Sequence, residues 1–396
     1  MNVVLFCHSL VSCWNHGNAH FLRGVARDLV ARGHAVRILA PEGGWSRENL
    51  VRDHGGQALL GWRRAYPELA SETYPLDGAA LDAALERALE SADLVLVHEW
   101  SEPLLVAAVG RRRAAGGRFV LLFHDTHHRA VSAPEAMRGL ALEAYDGILA
   151  FGAVLAERWR RWGWGGRVFV WHEAADTTLF RPRPEIIPER DLIWVGNWGD
   201  DERSAELHEY LLGPVKALGL TGTVRGVRWP DDALAAAADA GLDHRGWLPN
   251  HAVPEAFARH RVTVHVPRRP YVDALPGIPT IRVFEALACG IPLVSAPWDD
   301  AEGLFPEGAY LEAENGAAMT RHLEAVLADA ELRESLIATG LAAIRARHTC
   351  HHRVGELLAV HARLAGGDGH GSSKGGAEDA ASLAPPPPPA GEDGRG

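Results

Sequence analysis

Nowhere in the sequence do about 18 apolar residues run together, the length a membrane-spanning helix requires, so no span is expected. The amino-terminal MNVVLFCHSL has no basic stretch ahead of its apolar run and reads as a first buried strand, not a signal peptide. Cysteine is scarce: Cys7, Cys13, Cys289 and Cys350 form no CxxC pair. Reduced thiols in a cytoplasmic protein are the simple expectation. An excess of positive charge is missing too. The net charge of −11 and pI near 6.0 argue against nucleic acid as the main partner. The basic run GRRRAAGGR at 110–118 reads as a solvated helix end. There is no GxGxxG, no HExxH and no Asp-x-Asp at a strand end, which takes support from the usual dinucleotide fold, from a zinc protease and from a metal-held diphosphate.

What the sequence does have is alternation. At 396 residues, 47% apolar and 23% charged, it is long enough for two globular domains of ordinary composition. NVVLFC predicts a strand and AHFLRGVARDLVARG a helix, in which Phe21, Leu22, Val25, Leu29 and Val30 recur at helical spacing before a stop at Gly33. HAVRILA, DLVLVHEW, RFVLLFHD, YDGILAFG and RVFVWHE follow as short apolar strands, with the amphipathic LDAALERALESA among them. Strands apolar on both faces and separated by helices predict a doubly wound parallel sheet. After a Pro- and charge-rich connector, LIWVGNW, GTVRGV, LDHRGWL, VTVHVP and PLVSAP restart the pattern. The expected organisation is α/β: two Rossmann-like parallel-sheet domains, 1–180 and 192–345, joined by the connector 181–191 and facing a cleft. A closing helix at 346–365 and a disordered tail at 366–396, almost devoid of large apolar residues, complete it.

Ligands of open α/β sheets bind at the carboxyl ends of strands, so the polar residues that follow strands are the candidates for function. After the first strand, Gly17 and Asn18 precede a helix, and their free N–H groups can approach an anion or a sugar hydroxyl, with His16 and His20 beside them. An Asn-capped turn accounts for Gly17 and Asn18 equally well. LLFHDTHHRA sets His124, Asp125, His127, His128 and Arg129 directly after a buried strand, a density of polar groups that packing does not explain. Zinc is the competing use of this cluster, but ligands so close in sequence need a loop folded around the metal. In VGNWGDDERSAEL, Gly196, Asn197 and Gly199 let backbone come near a diphosphate, and Arg203 adds a fixed charge; a cap by Asp200 or Asp201 explains only the acids. Arg268 and Arg269 follow VTVHV at a strand end beside prolines and suit an anion, a solvated surface pair being the alternative. Trp14 and Trp45, in loops of the first domain, offer faces on which a sugar can stack, whereas Cys289 reads as core and Thr349 in HTCHHR as a cap.

With GNAHFLRGVARDLVARGHAVRIL, DLVLVHEW, WHEAADTTLFRP, VGNWGDDER, RGWLPNHAVPEAFARHRVTVHVPRR and IRVFEALACGIPLVS in this order, residues 1–362 resemble glycosyltransferases of the two-Rossmann-domain (GT-B) type. They look most like retaining group 1 or family 4 enzymes and their spore-maturation-type relatives. The resemblance implies a nucleoside-diphosphate-sugar donor and transfer of its sugar to an unknown acceptor, with no metal and no further cofactor. It implies that Glu285 holds the ribose hydroxyls, that Thr280 and Arg282 face the diphosphate at a helix N-terminus, and that Arg203, with Arg268 or Arg269, neutralises it. His124, with Asp125 next to it, matches a strand-end histidine that contacts the donor sugar and is the expected catalytic position. Gly17 and Asn18 match the family's glycine-rich first loop. One departure stands out: the family carries a Glu-x7-Glu pair, and Gly277 occupies the place of the first Glu. A catalytically silent sugar-nucleotide-binding protein, or an epimerase or hydrolase on the same fold, are the alternatives, and a peripheral membrane contact is left open.

Overall fold

The computed structural model describes residues 1–15, 17–199 and 201–367; expectations placed on His16, Asp200, the side chain of Asn18 and the tail beyond 367 lie outside the described residues. Two parallel sheets organise the chain, as the alternation predicts. The first contains β1 (Asn2–Phe6), β2 (Ala35–Pro41), β3 (Ser71–Tyr74), β4 (Leu94–His98), β5 (Val120–Asp125), β6 (Gly147–Ala150) and β7 (Val168–Val170) in the order β3-β2-β1-β4-β5-β6-β7. β8 (Arg190–Val195), β9 (Gly222–Arg225), β10 (Leu242–His244), β11 (His260–His265), β12 (Leu293–Ser295) and β13 (Leu311–Glu312) form the second, in the order β10-β9-β8-β11-β12-β13. β3 was not legible in the sequence: SETY is polar because it lies at a sheet edge, with only Tyr74 buried.

Burial on both faces follows from the two-residue period of a strand. Val3 and Leu5 of β1 enter one core cluster, and Val4 and Phe6 enter another on the opposite face. In β8, Ile193 likewise faces away from Leu192 and Trp194. The cluster holding Val3, Leu5 and Ile193 also takes in Phe21, Trp171, Phe284 and Val354, so one face of each sheet contributes to a core shared by the two domains.

The chain crosses between the domains twice, through the segment after β7 and again at the end. The helix Cys350–Gly367 packs back on the first-domain helix Asn18–Ala31. There the Trp171 indole N–H donates to the Arg353 carbonyl, and Ala175 bridges Thr349. Gly24 lies under this contact, where a Cβ would stand 2.4 Å from the Cys350 sulfur. All four cysteines are free thiols. Among the described residues no helix is long and apolar enough to cross a membrane.

Burial also holds several imidazoles neutral. His8 is pushed down from 6.5 to about 4, and His124, His265 and His348 to about 3. In the unfolded chain each would protonate below about pH 6.5. Protons therefore favour unfolding, and this contribution to stability is complete above pH 6.5 and lost progressively as the pH falls toward 3. Thermal melts from pH 7.5 downward are expected to show a midpoint that declines steadily below about pH 6.5. A midpoint unchanged to pH 5 would contradict the neutral burial of these rings.

Candidate functional site

The carboxyl ends of both sheets open on one cavity of about 610 Å³ between the domains. On the first-domain side, the segment after β1 supplies Cys13, Asn15, Gly17 and His20. Gly17 precedes a helix whose start has no side-chain cap, so backbone donors are left toward the cavity. Trp45 also lines the cavity, backed by His8 and by the edge of Trp14, whereas Trp14 itself is buried.

At the end of β5 the structure separates residues that the sequence placed together. His124 and Asp125 still belong to the strand, which is covered on both faces, so their side chains enter packed layers. The His124 ring packs against Trp171, His98 and Phe21 with centroids 4.8, 5.3 and 6.0 Å away. Asp125 accepts a 2.6 Å bond from the Trp159 indole and neighbours the buried Glu99. Burial, then the charge of Asp125, raises the Glu99 pKa well above the usual range. Neither His124 nor Asp125 lines the cavity. Its wall here is formed by the residues just past the strand, Thr126, His127, His128 and Arg129. His127 and His128 stack at 3.9 Å, and burial first, aided by nearby Arg268, lowers the pKa of both. Among the described residues no three His, Cys, Asp or Glu side chains converge as metal ligands would.

The second domain presents cations. Gly196 and Asn197 follow β8, and the Asn197 side-chain oxygen accepts from both Arg203, at 2.8 Å, and Arg268, at 3.0 Å. Arg203 also donates to the Asn197 and Val266 carbonyls and lies over the Trp194 ring. Gly199, with φ +105, lets the loop fold over the Arg203 side chain but does not reach the cavity. Arg268 lines the cavity; Arg269 turns outward to Glu206 at 2.9 Å. Arg225, the last residue of β9, and Arg228, in the loop after it, join the wall and were not foreseen. Their sole sequence signal is that they stand at the end of a strand. Altogether six arginines and two glutamates line the cavity, in a protein of net charge −11. Such a concentration of guanidinium groups suits a multiply charged anion.

The helix Ile281–Cys289 points its N-terminus into this cation-rich space, with Thr280 as an N-cap that makes no side-chain bond. Thr280 and Arg282 line the cavity. Glu285, one turn deeper, is 1% exposed and lies beneath them. One of its carboxylate oxygens accepts from Asn250 at 2.8 Å and stands 3.0 Å from His20 Nδ1, across the domain boundary; Arg282 binds the other. Burial works to raise the Glu285 pKa, but Arg282, His20 and Asn250 outweigh it and hold the group below the usual carboxylate range. Gly277 cannot substitute for a carboxylate from its own position. Its φ is +82, and a Cβ there would stand 2.6 Å from Cγ of Glu302, which itself holds the Ala153 N–H and His172 of the first domain.

Residues 17–179 match the family Glycosyltransferase Family 4, and residues 203–359 match Glycosyl transferase-like. No curated protein sequence matches the chain. Among solved structures, Anabaena HepE in complex with UDP and glucose superposes with a TM-score of 0.62 at 13% identity, over 91% of this chain and 99% of its own. Sucrose-phosphate synthase from Thermosynechococcus elongatus gives 0.63 at 13% identity, over 93% and 100%. S. aureus TarM in complex with fondaparinux, alpha-GlcNAc-glycerol and UDP gives 0.64 at 6% identity, over 91% and 99%. At these identities the structural likeness is one of fold. The two family matches fall one on each sheet domain, and the structural likeness extends over both, so the chain has the two-domain Rossmann-like GT-B fold.

Proposed function

We propose that the protein transfers a sugar from a nucleoside diphosphate donor to an acceptor, retaining the anomeric configuration and using no metal. The observation that carries this reading is the meeting of the arginine-rich wall with the N-terminus of Ile281–Cys289 directly above the buried Glu285. In this proposal Glu285 accepts the ribose hydroxyls, while Thr280, Arg282, Arg203 and Arg268 face the diphosphate. As the glycosidic bond breaks, negative charge grows on the leaving diphosphate. Fixed guanidinium groups and helix N–H donors stabilise that charge without reorganising, the work that a divalent cation does in other transferases. Closure of the domains around the donor excludes water that would otherwise hydrolyse it. His124 and Asp125 support the strand end that carries Thr126 to Arg129, and the polar contact to the donor sugar passes to groups on the wall. In this proposal the chain is a group 1 glycosyltransferase and stands nearest the spore-maturation-type enzymes, because Gly277 departs from the usual first Glu as they do.

A catalytically silent donor-binding protein is favoured by one observation: the Glu285 carboxylate is already engaged by His20, Asn250 and Arg282. Calorimetric titration with UDP-, GDP- and dTDP-sugars, with and without EDTA, tests the shared premise. Micromolar binding of one donor, indifferent to EDTA, is expected. Failure of every donor to bind removes the transferase reading. Product analysis with a panel of acceptors, including the anomeric form by NMR, then separates transfer from silent binding.

A further inference from the structure

Two carboxyl groups line the interdomain cavity, Glu173 and Glu202. Glu202 is bound to Arg268 and faces His128 Nε2 at 3.9 Å, so its charge is spent within the arginine cluster. Glu173 differs. It follows β7 in the first domain, at the segment where the chain leaves for the second, and is 5% exposed. The N–H of Ile281, the first residue of the Ile281–Cys289 helix, lies near enough to act on its carboxyl. Arg282 and Glu285 lie near enough to act on it, yet it shares no ion pair with Arg282, which is bound to Glu285. Burial, and after it the charge of Glu285, lifts its pKa to about 8. At neutral pH it is mostly a protonated acid, able to donate one hydrogen bond and accept others.

The cavity is thereby divided by chemistry. Arginines of the second domain form one side. Across the start of the same helix, Glu173 joins Tyr271, His127 and His128, polar side chains held uncharged by burial, with Arg268 and Arg129 bordering the two histidines. A diphosphate on the arginine side leaves its attached sugar facing this uncharged group, whose donors and acceptors match hydroxyls and not a further negative charge. An ionised carboxylate there would repel both Glu285 and the diphosphate; a neutral one does not.

We infer that Glu173 is the donor's sugar-contacting residue, its carboxyl hydrogen-bonded to a hydroxyl of a neutral pyranose. This rests on the donor reading above, and the test separates the two. Calorimetry would compare UDP with UDP-glucose, UDP-galactose and UDP-N-acetylglucosamine on wild type, Glu173→Ala and Glu173→Gln, with thermal melts to establish folding. Losing one such hydrogen bond is worth about tenfold in affinity. The expected result is a loss of about that size, for the UDP-sugar that wild type binds best, in Glu173→Ala. UDP affinity is expected to hold within about twofold, and Glu173→Gln, which keeps a donor and an acceptor, to recover most of the loss. Equal weakening of UDP and UDP-sugar, or no weakening of either, overturns the assignment of Glu173 while leaving the donor reading in place. If wild type prefers a GDP- or dTDP-sugar in the wider titration, the same comparison is made with that nucleotide and its sugars; wild-type protein that binds no donor of the three series overturns both.

Discussion

Glu285→Ala is expected to reduce binding of the best UDP-sugar by on the order of a hundredfold or more, because hydrogen bonds to a charged group contribute about 1.5–3 kcal/mol each and a ribose offers two hydroxyls. The change also acts on the protein. It removes the acceptor shared by Asn250 and His20 and leaves Arg282 without its carboxylate. Breaking a buried pair in this way costs about 3–5 kcal/mol, so the thermal midpoint should fall as well. Glu285→Gln resolves the ambiguity. It keeps the shape and an oxygen for hydrogen bonding but not the charge, and is expected to remain folded while binding the donor at least about tenfold more weakly. A folded Glu285→Gln protein with wild-type affinity for UDP and its sugars would show that the carboxylate holds Arg282, His20 and Asn250 in place and nothing else.

The second large effect is expected at Gly226. A Cβ there would stand 1.8 Å from the Gly196 carbonyl oxygen, 2.5 Å from its carbon and 3.1 Å from the Asn197 nitrogen. These are backbone atoms, so no rotamer change relieves the collision. Gly196 N–H to Arg225 O at 2.8 Å pins the same two segments together, and Gly226 N–H to Gly246 O at 2.9 Å ties the β9 loop to the loop after β10. Gly226→Ala must push the β8 and β9 loops apart, and Asn197, which positions Arg203 and Arg268, moves with them. We expect a loss of about 3 kcal/mol in urea unfolding together with at least about tenfold weaker UDP binding. Gly219 supplies the control: its φ of +61 is left-handed, but nothing lies within 4 Å of a Cβ. Gly219→Ala should cost only about 1 kcal/mol and leave UDP affinity unchanged. Equal effects at the two positions would mean that φ alone, and not the contact between loops, governs the first.

Strand and helix periods determined by themselves that the chain is α/β, that it has two parallel sheets and that the ends of β1, β5, β8 and β11 carry its polar loops. These are local properties: a buried parallel strand must be apolar on both faces, and a loop that follows it need not be. The edge strand Ser71–Tyr74 escaped because an edge has no such requirement. Which side chain beyond a strand faces the cleft is a different kind of question. His124 and Asp125 are adjacent in sequence to His127 and His128, yet only the latter pair reaches the cavity, since the strand carries the former into its packed layers. Arg268 and Arg269 divide in the same way, one into the cavity and one toward Glu206. Glu173, Arg225 and Arg228 carry no motif that marks them, and become wall residues only because the two sheets face each other. The pairing of His20 with Glu285 joins residues 265 positions apart, across a domain boundary, and only the tertiary structure creates it, because the free energy of a buried carboxylate depends on the groups brought around it and not on its neighbours in sequence.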